Sequence, residues 1–358
     1  MNSRNAVIAV LVSFAMVLPA MSFFASGADA DTDVFDGYYG KQLNTNQKAM
    51  YDAMAALDPS VTVSGNATDG FYIDVAVAGL VNENDHLRDA TAAWQATKLD
   101  ASAASNWAFW TWTLGDVKPP VSIESPTATS CTVRIAVASQ FETGFATAVA
   151  NVNTAINAIE ITGSSTAEKI KNINAKITSS PYSYVDDNSS HVFANTIYAV
   201  AEENAESGRY YLTSFGYSQL FKALCAKSEV ACSQVYGFYG NESKIYAWNE
   251  VAIDGKVYGV NAAVNATSSD NPWLAAGSHT LVNGDYFGNV HHAFVKNLTN
   301  GFDYSAFKEE TLNNNGYAWP ASDDIWEQIA EYLPWVLIGV ICVILAIVLV
   351  IMARKGEL

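Results

Sequence analysis

The chain has 358 residues, a formal net charge of −17 and a sequence pI of about 4.5. This acidic balance excludes a nucleic-acid-binding protein that works by neutralising phosphates. Half of the residues are hydrophobic and only 15% are charged, which predicts a sizeable core beneath a surface of mostly uncharged polar residues.

The first 30 residues have the pattern of a secretory signal peptide. Arg4 precedes an apolar run at Ala6–Phe24, and the sequence ADA at positions 28–30 has the small residues of a cleavage site. The alternative is a retained N-terminal membrane anchor. Pro19 and the small residues after it favour cleavage.

Residues 31–180 are predicted to form an N-terminal α+β region. Apolar residues recur at helical spacing through Asp36–Leu57, and Asn46 is the predicted cap of that helix. Residues typical of strands and turns follow at Val61–Val81, and the alternation at 131–137 predicts a second strand.

The most aromatic stretch is Ser105–Leu114, which we interpret as core; the alternative is a platform for a sugar. Helical spacing predicts a helix over Phe141–Ile161 and another that begins at Thr166. A further helix is predicted over Ser190–Glu206, leading into the most informative part of the chain.

That part is Gly208–Val264, which has the pattern of one helix followed by three strands. Ser214 precedes a helical stripe of apolar residues, at a position where a serine caps free N–H groups. The predicted strands are Val230–Tyr239, Lys244–Ile253 and Lys256–Val264.

Asp254 and Gly255 form a two-residue hairpin signal between the second and third of these strands. With that loop, Trp248 faces Asn261, and Tyr246 is a diagonal neighbour of Asn261 at about 7–8 Å along the backbone. The pattern therefore predicts that these three side chains share one face of the sheet.

Three segments of this part resemble the transglutaminase-like family, which has the papain-like fold. The family pattern C-x-G-Y corresponds to SFGY at 214–217, H-a-W-N to YAWN at 246–249, and Y-x-V-D to YGVN at 258–261. The resemblance implies an α+β fold in which a helix packs on an antiparallel sheet within residues 181–300, with an N-terminal α/β extension.

The catalytic cysteine, histidine and aspartate of the family fall on Ser214, Tyr246 and Asn261. A serine hydroxyl does not ionise near neutral pH without a base, and a phenol with a pKa near 10 is a poor base. We therefore expect a transglutaminase-like protein without acyl-transfer activity and without a cofactor. The alternative is an enzyme that transfers acyl groups or hydrolyses amides through a non-standard site.

Three histidines follow the hairpin: His279, His291 and His292. One of them, folded back over the site, would supply a displaced base, but we interpret all three as surface or loop residues. A groove for a peptide or glycan is predicted at Tyr246, Trp248 and Asn249. The alternative is that these aromatic side chains are ordinary sheet-face packing.

Cys225 and Cys232 form a candidate disulfide; the alternative is that Cys225 packs in the core. The four cysteines do not make a disulfide framework, and no Cys/His spacing predicts a metal site. Candidate glycosylation sequons occur at Asn66, Asn188, Asn241, Asn265 and Asn297.

Residues 301–333 are predicted to be a stalk, or a segment that closes the domain, before a transmembrane helix at 334–353. Trp335–Met352 is an uncharged apolar run long enough to cross a bilayer, and the basic residues of the tail at 354–358 place that tail in the cytoplasm. We expect a single-pass cell-membrane protein whose extracellular part binds an envelope polymer or a peptide. The alternative is a purely structural envelope component.

Overall fold

A computed structural model describes residues 34–81, 85–101, 120–186, 191, 193–240, 245–293, 307–320 and 352. The chain forms two units, residues 1–316 and residues 317–358. Within the second unit, the rings of Tyr317 and Trp319 meet edge to face at 5.0 Å. The first unit contains every helix and strand described below.

The first sheet is antiparallel, with the strand order β1-β2-β4-β3. Its strands are β1 (Ser64–Asn66), β2 (Gly70–Ala78), β3 (Val121–Glu124) and β4 (Ser130–Val137). Strands β2 and β4 pair in register from Phe71 opposite Val137 to Ala78 opposite Ser130. The predicted strand patterns at both places are confirmed, because their alternating apolar residues face one buried side.

The helices of this N-terminal part are α1 (Thr45–Ala55), α2 (His86–Asp100), α3 (Ala146–Ala158) and α4 (Thr166–Ile177). The cap predicted for α1 was wrong, because Asn44 accepts from the backbone of Gln47 in a capping box. The side chain of Asn46 instead donates to the carbonyl oxygen of Val81 and accepts its backbone N–H, which ties α1 to the segment that follows β2.

Helix α2 was not predicted at all. Its buried side includes Gln95, Thr97 and Lys98, so the sequence shows no apolar stripe. The helix predicted over Ser190–Glu206 was also wrong, because the described residues of that stretch form no helix longer than the 3-10 helix Ile197–Ala201. Thr196 caps that turn, and the Asn204 side chain accepts from two later amides in a turn of its own.

The central helix α5 (Ser214–Lys227) packs on a second four-stranded antiparallel sheet, with the strand order β12-β7-β8-β9. The strands of this sheet are β7 (Cys232–Tyr239), β8 (Tyr246–Ile253), β9 (Lys256–Val260) and β12 (His291–Ala293). Every residue of α5 from Ser214 to Cys225 is buried, because other elements cover the sides that the sheet leaves open. The predicted helix on an antiparallel sheet is confirmed.

The first unit also contains several short elements, among them the 3-10 helices Gly40–Gln42 and Ser139–Phe141. Others are β5 (Tyr182–Tyr184), β6 (Tyr210–Leu212), α6 (Ala262–Ala266), β10 (Leu281–Val282), β11 (Asp285–Tyr286) and α7 (Phe287–Val290). Strands β5 and β6 form a parallel pair, whereas β10 and β11 form a small antiparallel hairpin. The first unit is therefore a mixed helix-and-sheet structure built mainly on antiparallel sheets.

The predicted hairpin between β8 and β9 is confirmed, with Ile253 opposite Lys256. Asp254 and Gly255 both have positive φ, at 53° and 72°, as the two-residue turn requires. The return strand is shorter than predicted, because it ends at Val260 and the chain turns into α6. The predicted pairing of Trp248 with Asn261 is therefore wrong.

Among the described residues, no helix combines the length and the apolar character that crossing a membrane requires. The predicted signal peptide, the aromatic stretch at 105–114 and, apart from Met352, the predicted span at 334–353 lie outside those residues. These three sequence interpretations stay predictions.

Candidate functional site

Ser214 is the first residue of α5 and is fully buried. Thr213 holds the cap position with an extended backbone, so the prediction that Ser214 caps the helix was wrong. The Ser214 hydroxyl oxygen accepts a long hydrogen bond of 3.4 Å from the backbone N–H of Ala247, the second residue of β8. The first two positions singled out by the family pattern, Ser214 and Tyr246, are thus brought to neighbouring points of helix and strand.

Gly216 allows the first turn of α5 to lie close to Ala194 and Leu212. A β-carbon at this position would lie 2.4 Å from the carbonyl oxygen of Ala194 and 2.7 Å from a methyl group of Leu212. The same carbonyl accepts the backbone N–H of Thr213 at 2.7 Å. A residue larger than glycine would therefore push the start of α5 away from the segment that holds it.

Tyr246 and Trp248 lie on one face of β8, as predicted, and both are almost completely buried. Their side chains are only 6% and 2% exposed. Gly237 of β7 lies opposite Tyr246 in the register of the two strands. The adjacent residue Asn249 points to the other face, where its Nδ2 donates to the carbonyl oxygens of Ser218 at 3.0 Å and Ser233 at 3.1 Å.

Asn249 is therefore not a groove residue, contrary to the prediction. Ser218 completes the same connection, since its hydroxyl donates to the carbonyl oxygen of Trp248 at 3.0 Å. Together the two side chains attach α5 to β8 and satisfy polar groups that the core encloses.

Asn261 caps α6, since its Oδ1 accepts the backbone N–H of Val264 at 3.1 Å. Its Nδ2 lies 3.0 Å from Nε2 of His291, which reaches this position from β12. His291 is buried and stacks on Phe287, with the ring centroids 3.7 Å apart. Its ring also meets that of Trp248 edge to face at 5.1 Å.

The interpretation of the histidines as surface or loop residues is therefore wrong for His291. His279 is exposed, in agreement with the prediction, and the side chain of His292 lies outside the description. The sequence offered one local signal for His291, the bulky residue Phe287 at the start of the short helix before it. No sequence pattern predicts that β12 pairs with the edge of β7 opposite to β8.

The hydrogen bonds of His291 indicate which of its ring nitrogens carries the proton. Because Oδ1 of Asn261 is held by Val264, Nδ2 is the group that faces the imidazole, and an amide N–H only donates. Nε2 of His291 therefore accepts, and Nδ1 carries the proton that it donates to the carbonyl oxygen of Phe287 at 3.0 Å. Both ring nitrogens are engaged in a way that leaves neither free to accept a proton.

A cleft of about 420 Å³ opens beside this histidine. Trp248, His291 and Phe287 form its apolar wall, and Glu250, Glu309 and Glu310 supply carboxyl groups. Within the described parts of the chain, no three His, Cys, Asp or Glu side chains cluster as a metal site requires. The cleft is therefore an acidic and aromatic space next to the position of Asn261.

No protein-family model matches the chain, and no curated protein matches it. Two solved structures are similar to part of it. One, described as a TGase, is 12% identical with a TM-score of 0.26, and the alignment covers 59% of this chain and 56% of that one. The other, a candidate cysteine protease from Cytophaga hutchinsonii, is 13% identical with a TM-score of 0.23, covering 38% and 52%.

The chain thus spans about half the length of each of these two proteins. TM-scores this low do not establish a shared fold.

The candidate disulfide is not formed, because Cys225 and Cys232 are both free and buried. The two thiols lie within hydrogen-bonding contact, and burial raises the pKa of Cys225 well above its usual value. Such a thiol is unreactive as a nucleophile. The core position expected for Cys225 as the alternative is the one that the structure has.

Two of the candidate sequons lie on described residues. Asn66 is exposed in β1. Asn265 is only 1% exposed, its side chain donates to Asn174, and its Oδ1 accepts the backbone N–H of Trp273. The structure therefore argues against glycosylation of Asn265 in the folded protein. The other predicted sites, Asn188, Asn241 and Asn297, lie outside the described residues.

Proposed function

We propose that this protein is a transglutaminase-like domain that has no acyl-transfer activity and serves a binding or structural role at the cell surface. The observation that carries the proposal is the pairing of His291 with Asn261 and Phe287, since it engages both ring nitrogens of the buried histidine described near the site. The order of helix, strand and hairpin, and the proximity of Ser214 to the start of β8, support the family assignment.

The chemistry supports inactivity at each position. A serine needs a partner that accepts its proton, and the residue at the histidine position is the phenol Tyr246. The amide of Asn261 has its oxygen bound to Val264, so this oxygen does not orient an imidazole. Neither Tyr246 nor Asn261 would therefore act as the general base if Ser214 attacked an amide.

The alternative is an enzyme with a non-standard site, and one observation favours it. His291 and Asn261 are the two residue types that papain-like triads combine, and they lie 3.0 Å apart. For catalysis, Asn261 would have to release Val264 and turn its oxygen to the ring. His291 would also have to release the carbonyl oxygen of Phe287.

We expect the full-length chain in detergent to show no amine incorporation into a glutamine donor, and no amide hydrolysis, above the level of Ser214→Ala. The physical reason is the missing base. The matched control is the triple variant Ser214→Cys, Tyr246→His, Asn261→Asp, which restores the residue types of the family pattern. Turnover by the unmodified chain that disappears in both Ser214→Ala and His291→Gln would establish the alternative.

We further propose that a single C-terminal helix anchors the protein, with residues 31–333 outside the cell. The uncharged run before Arg354 and Lys355 supports this topology. Protease added to intact cells is expected to remove an epitope placed after residue 31 and to spare one placed after Leu358. Protection of the first epitope in intact cells, with cleavage after lysis, would contradict the topology.

A further inference from the structure

Glu250 is the starting point, because it is a buried carboxyl group that the proposed function does not use. It follows Trp248 on the same face of β8 and is 1% exposed. Among the described residues, no donor has ordinary hydrogen-bond geometry with either of its side-chain oxygens. The backbone N–H of Glu310 is near enough to favour the ionised form slightly, but burial dominates and raises the pKa of Glu250 well above its usual value.

Two more carboxyl groups share the cleft. Glu309 and Glu310 approach from the segment at 307–316, and the charges of both raise the pKa of Glu250. Partial burial raises the pKa of Glu309 to about 7, although much of this residue is exposed to solvent. Neither lysine nor arginine is among the described residues that line the cleft.

The geometry of the Glu250 carboxyl group indicates which kind of cation would bind it. Among the described residues, no side chain or backbone group makes an ordinary hydrogen bond to either oxygen of Glu250, and a carboxylate with two such oxygens matches the two parallel N–H groups of a guanidinium. Trp248 and Phe287 line the same cleft, and guanidinium groups stack on aromatic faces. A guanidinium is also less strongly hydrated than an ammonium ion, so it enters a buried site more readily.

We infer that the cleft beside His291 binds a guanidinium group, as carried by an arginine side chain of a peptide, with Glu250 as its bidentate partner. This inference deepens the binding role proposed above and rests on it. A metal ion fits less well, because the described residues contain no cluster of three ligating side chains. The volume of about 420 Å³ accommodates the end of a side chain and part of a backbone.

Binding is expected to release a proton. The carboxyl group of Glu250 has to ionise before it pairs with the cation, so its proton goes to the solvent and affinity rises with pH through the neutral range. Other titratable groups that act on Glu250 or share its cleft are Glu309, Glu310, Cys232, Tyr38, Tyr39 and His291.

The test is isothermal titration calorimetry of the full-length chain in detergent with Nα-acetyl-arginine methylamide. The matched ligands are Nα-acetyl-citrulline methylamide, which is neutral and nearly isosteric, and Nα-acetyl-lysine methylamide. Agmatine, which lacks the peptide backbone groups, separates a peptide arginine from a free guanidine. We expect the arginine ligand to bind at least tenfold more tightly than either matched ligand.

Glu250→Gln is expected to weaken the arginine ligand by at least about thirtyfold, the lower end for removing one partner of a buried charged pair. Glu142→Gln, at an exposed glutamate, is the control variant and should leave affinity unchanged. Thermal unfolding of Glu250→Gln shows that the variant is folded, and the comparison of arginine with citrulline in the unmodified chain needs no variant.

Equal affinity for arginine and citrulline, preference for lysine, or an unchanged affinity in Glu250→Gln would each overturn the inference. None of these results would restore acyl transfer, which has its own assay. Turnover of a glutamine donor would overturn the proposed inactivity and leave the guanidinium site standing.

Discussion

Replacing Asp100 with alanine is expected to lower the free energy of unfolding by about 3 kcal/mol, the effect of removing one partner from a buried charged group. Asp100 ends α2 and accepts the backbone N–H groups of Tyr39 at 3.1 Å and Gly40 at 2.8 Å. It also accepts the hydroxyl of Tyr51 at 3.0 Å. One carboxylate therefore holds the N-terminal segment, α1 and α2 together.

The buried cation Lys222 increases the loss of stability that we expect for Asp100→Ala. Its side chain is 4% exposed, its Nζ donates to the carbonyl oxygen of Leu99, and burial lowers its pKa while the charge of Asp100 raises it. Burial in turn raises the pKa of Asp100, and the charge of Lys222 opposes that shift. In Asp100→Ala, Lys222 would stay buried without its counter-charge.

Urea unfolding of the full-length chain in detergent, followed by tryptophan fluorescence, measures the loss. Asp100→Asn keeps one acceptor oxygen and the shape, so we expect a smaller effect. The double variant Asp100→Ala, Lys222→Met should regain part of the stability, because it removes the unpaired cation. If Asp100→Ala and Asp100→Asn both stayed within about 1 kcal/mol of the unmodified chain, the proposed role of this carboxylate would be wrong.

The free energy of unfolding is expected to fall as the pH rises from about 4.5 through neutrality. The pKa of Glu250 is well above 4.5 in the folded chain, and that of Glu309 is about 7. The folded state therefore binds more protons than the unfolded state in this window, and stability decreases as pH increases. Below pH 4.5 both states are protonated and these two groups contribute no slope.

Because the Glu309 side chain is partly solvated, its contribution is reduced by screening to about 1 kcal/mol. Glu250, which is fully enclosed, acts in the same direction. Urea unfolding at a series of pH values measures the slope, and Glu250→Gln and Glu309→Gln are each expected to flatten it. Glu142→Gln, at an exposed site, should keep the slope of the unmodified chain. A stability that rises between pH 5 and 7.5 would contradict the burial assigned to these carboxyl groups.

Local patterns predicted the central module well. The helix at Ser214–Lys227 and the turn at Asp254 and Gly255 depend on residues that are close in sequence, so their spacing and turn chemistry are readable. The same reasoning failed for α2, where Lys98 and Gln95 are enclosed by other parts of the chain. Burial of polar side chains leaves no periodic apolar signal.

The candidate site also has features that the sequence predicted and features that it did not. The family pattern located Ser214, Tyr246 and Asn261 from sequence, and their replaced residue types already argued against acyl transfer. The sequence alone also determined the acidic balance and the apolar ends of the chain. These properties depend on which residues are present and on their neighbours along the chain.

Only the tertiary structure placed His291 beside Asn261 and buried the Glu250 carboxyl group with no hydrogen-bond partner among the described residues. His291 is 30 residues from Asn261 in sequence, and Glu309 is farther still from Glu250. Such contacts depend on where β12 and the segment at 307–316 return to the central sheet. That path is determined by packing of the whole unit, because no short-range pattern specifies which edge of β7 a distant strand will join.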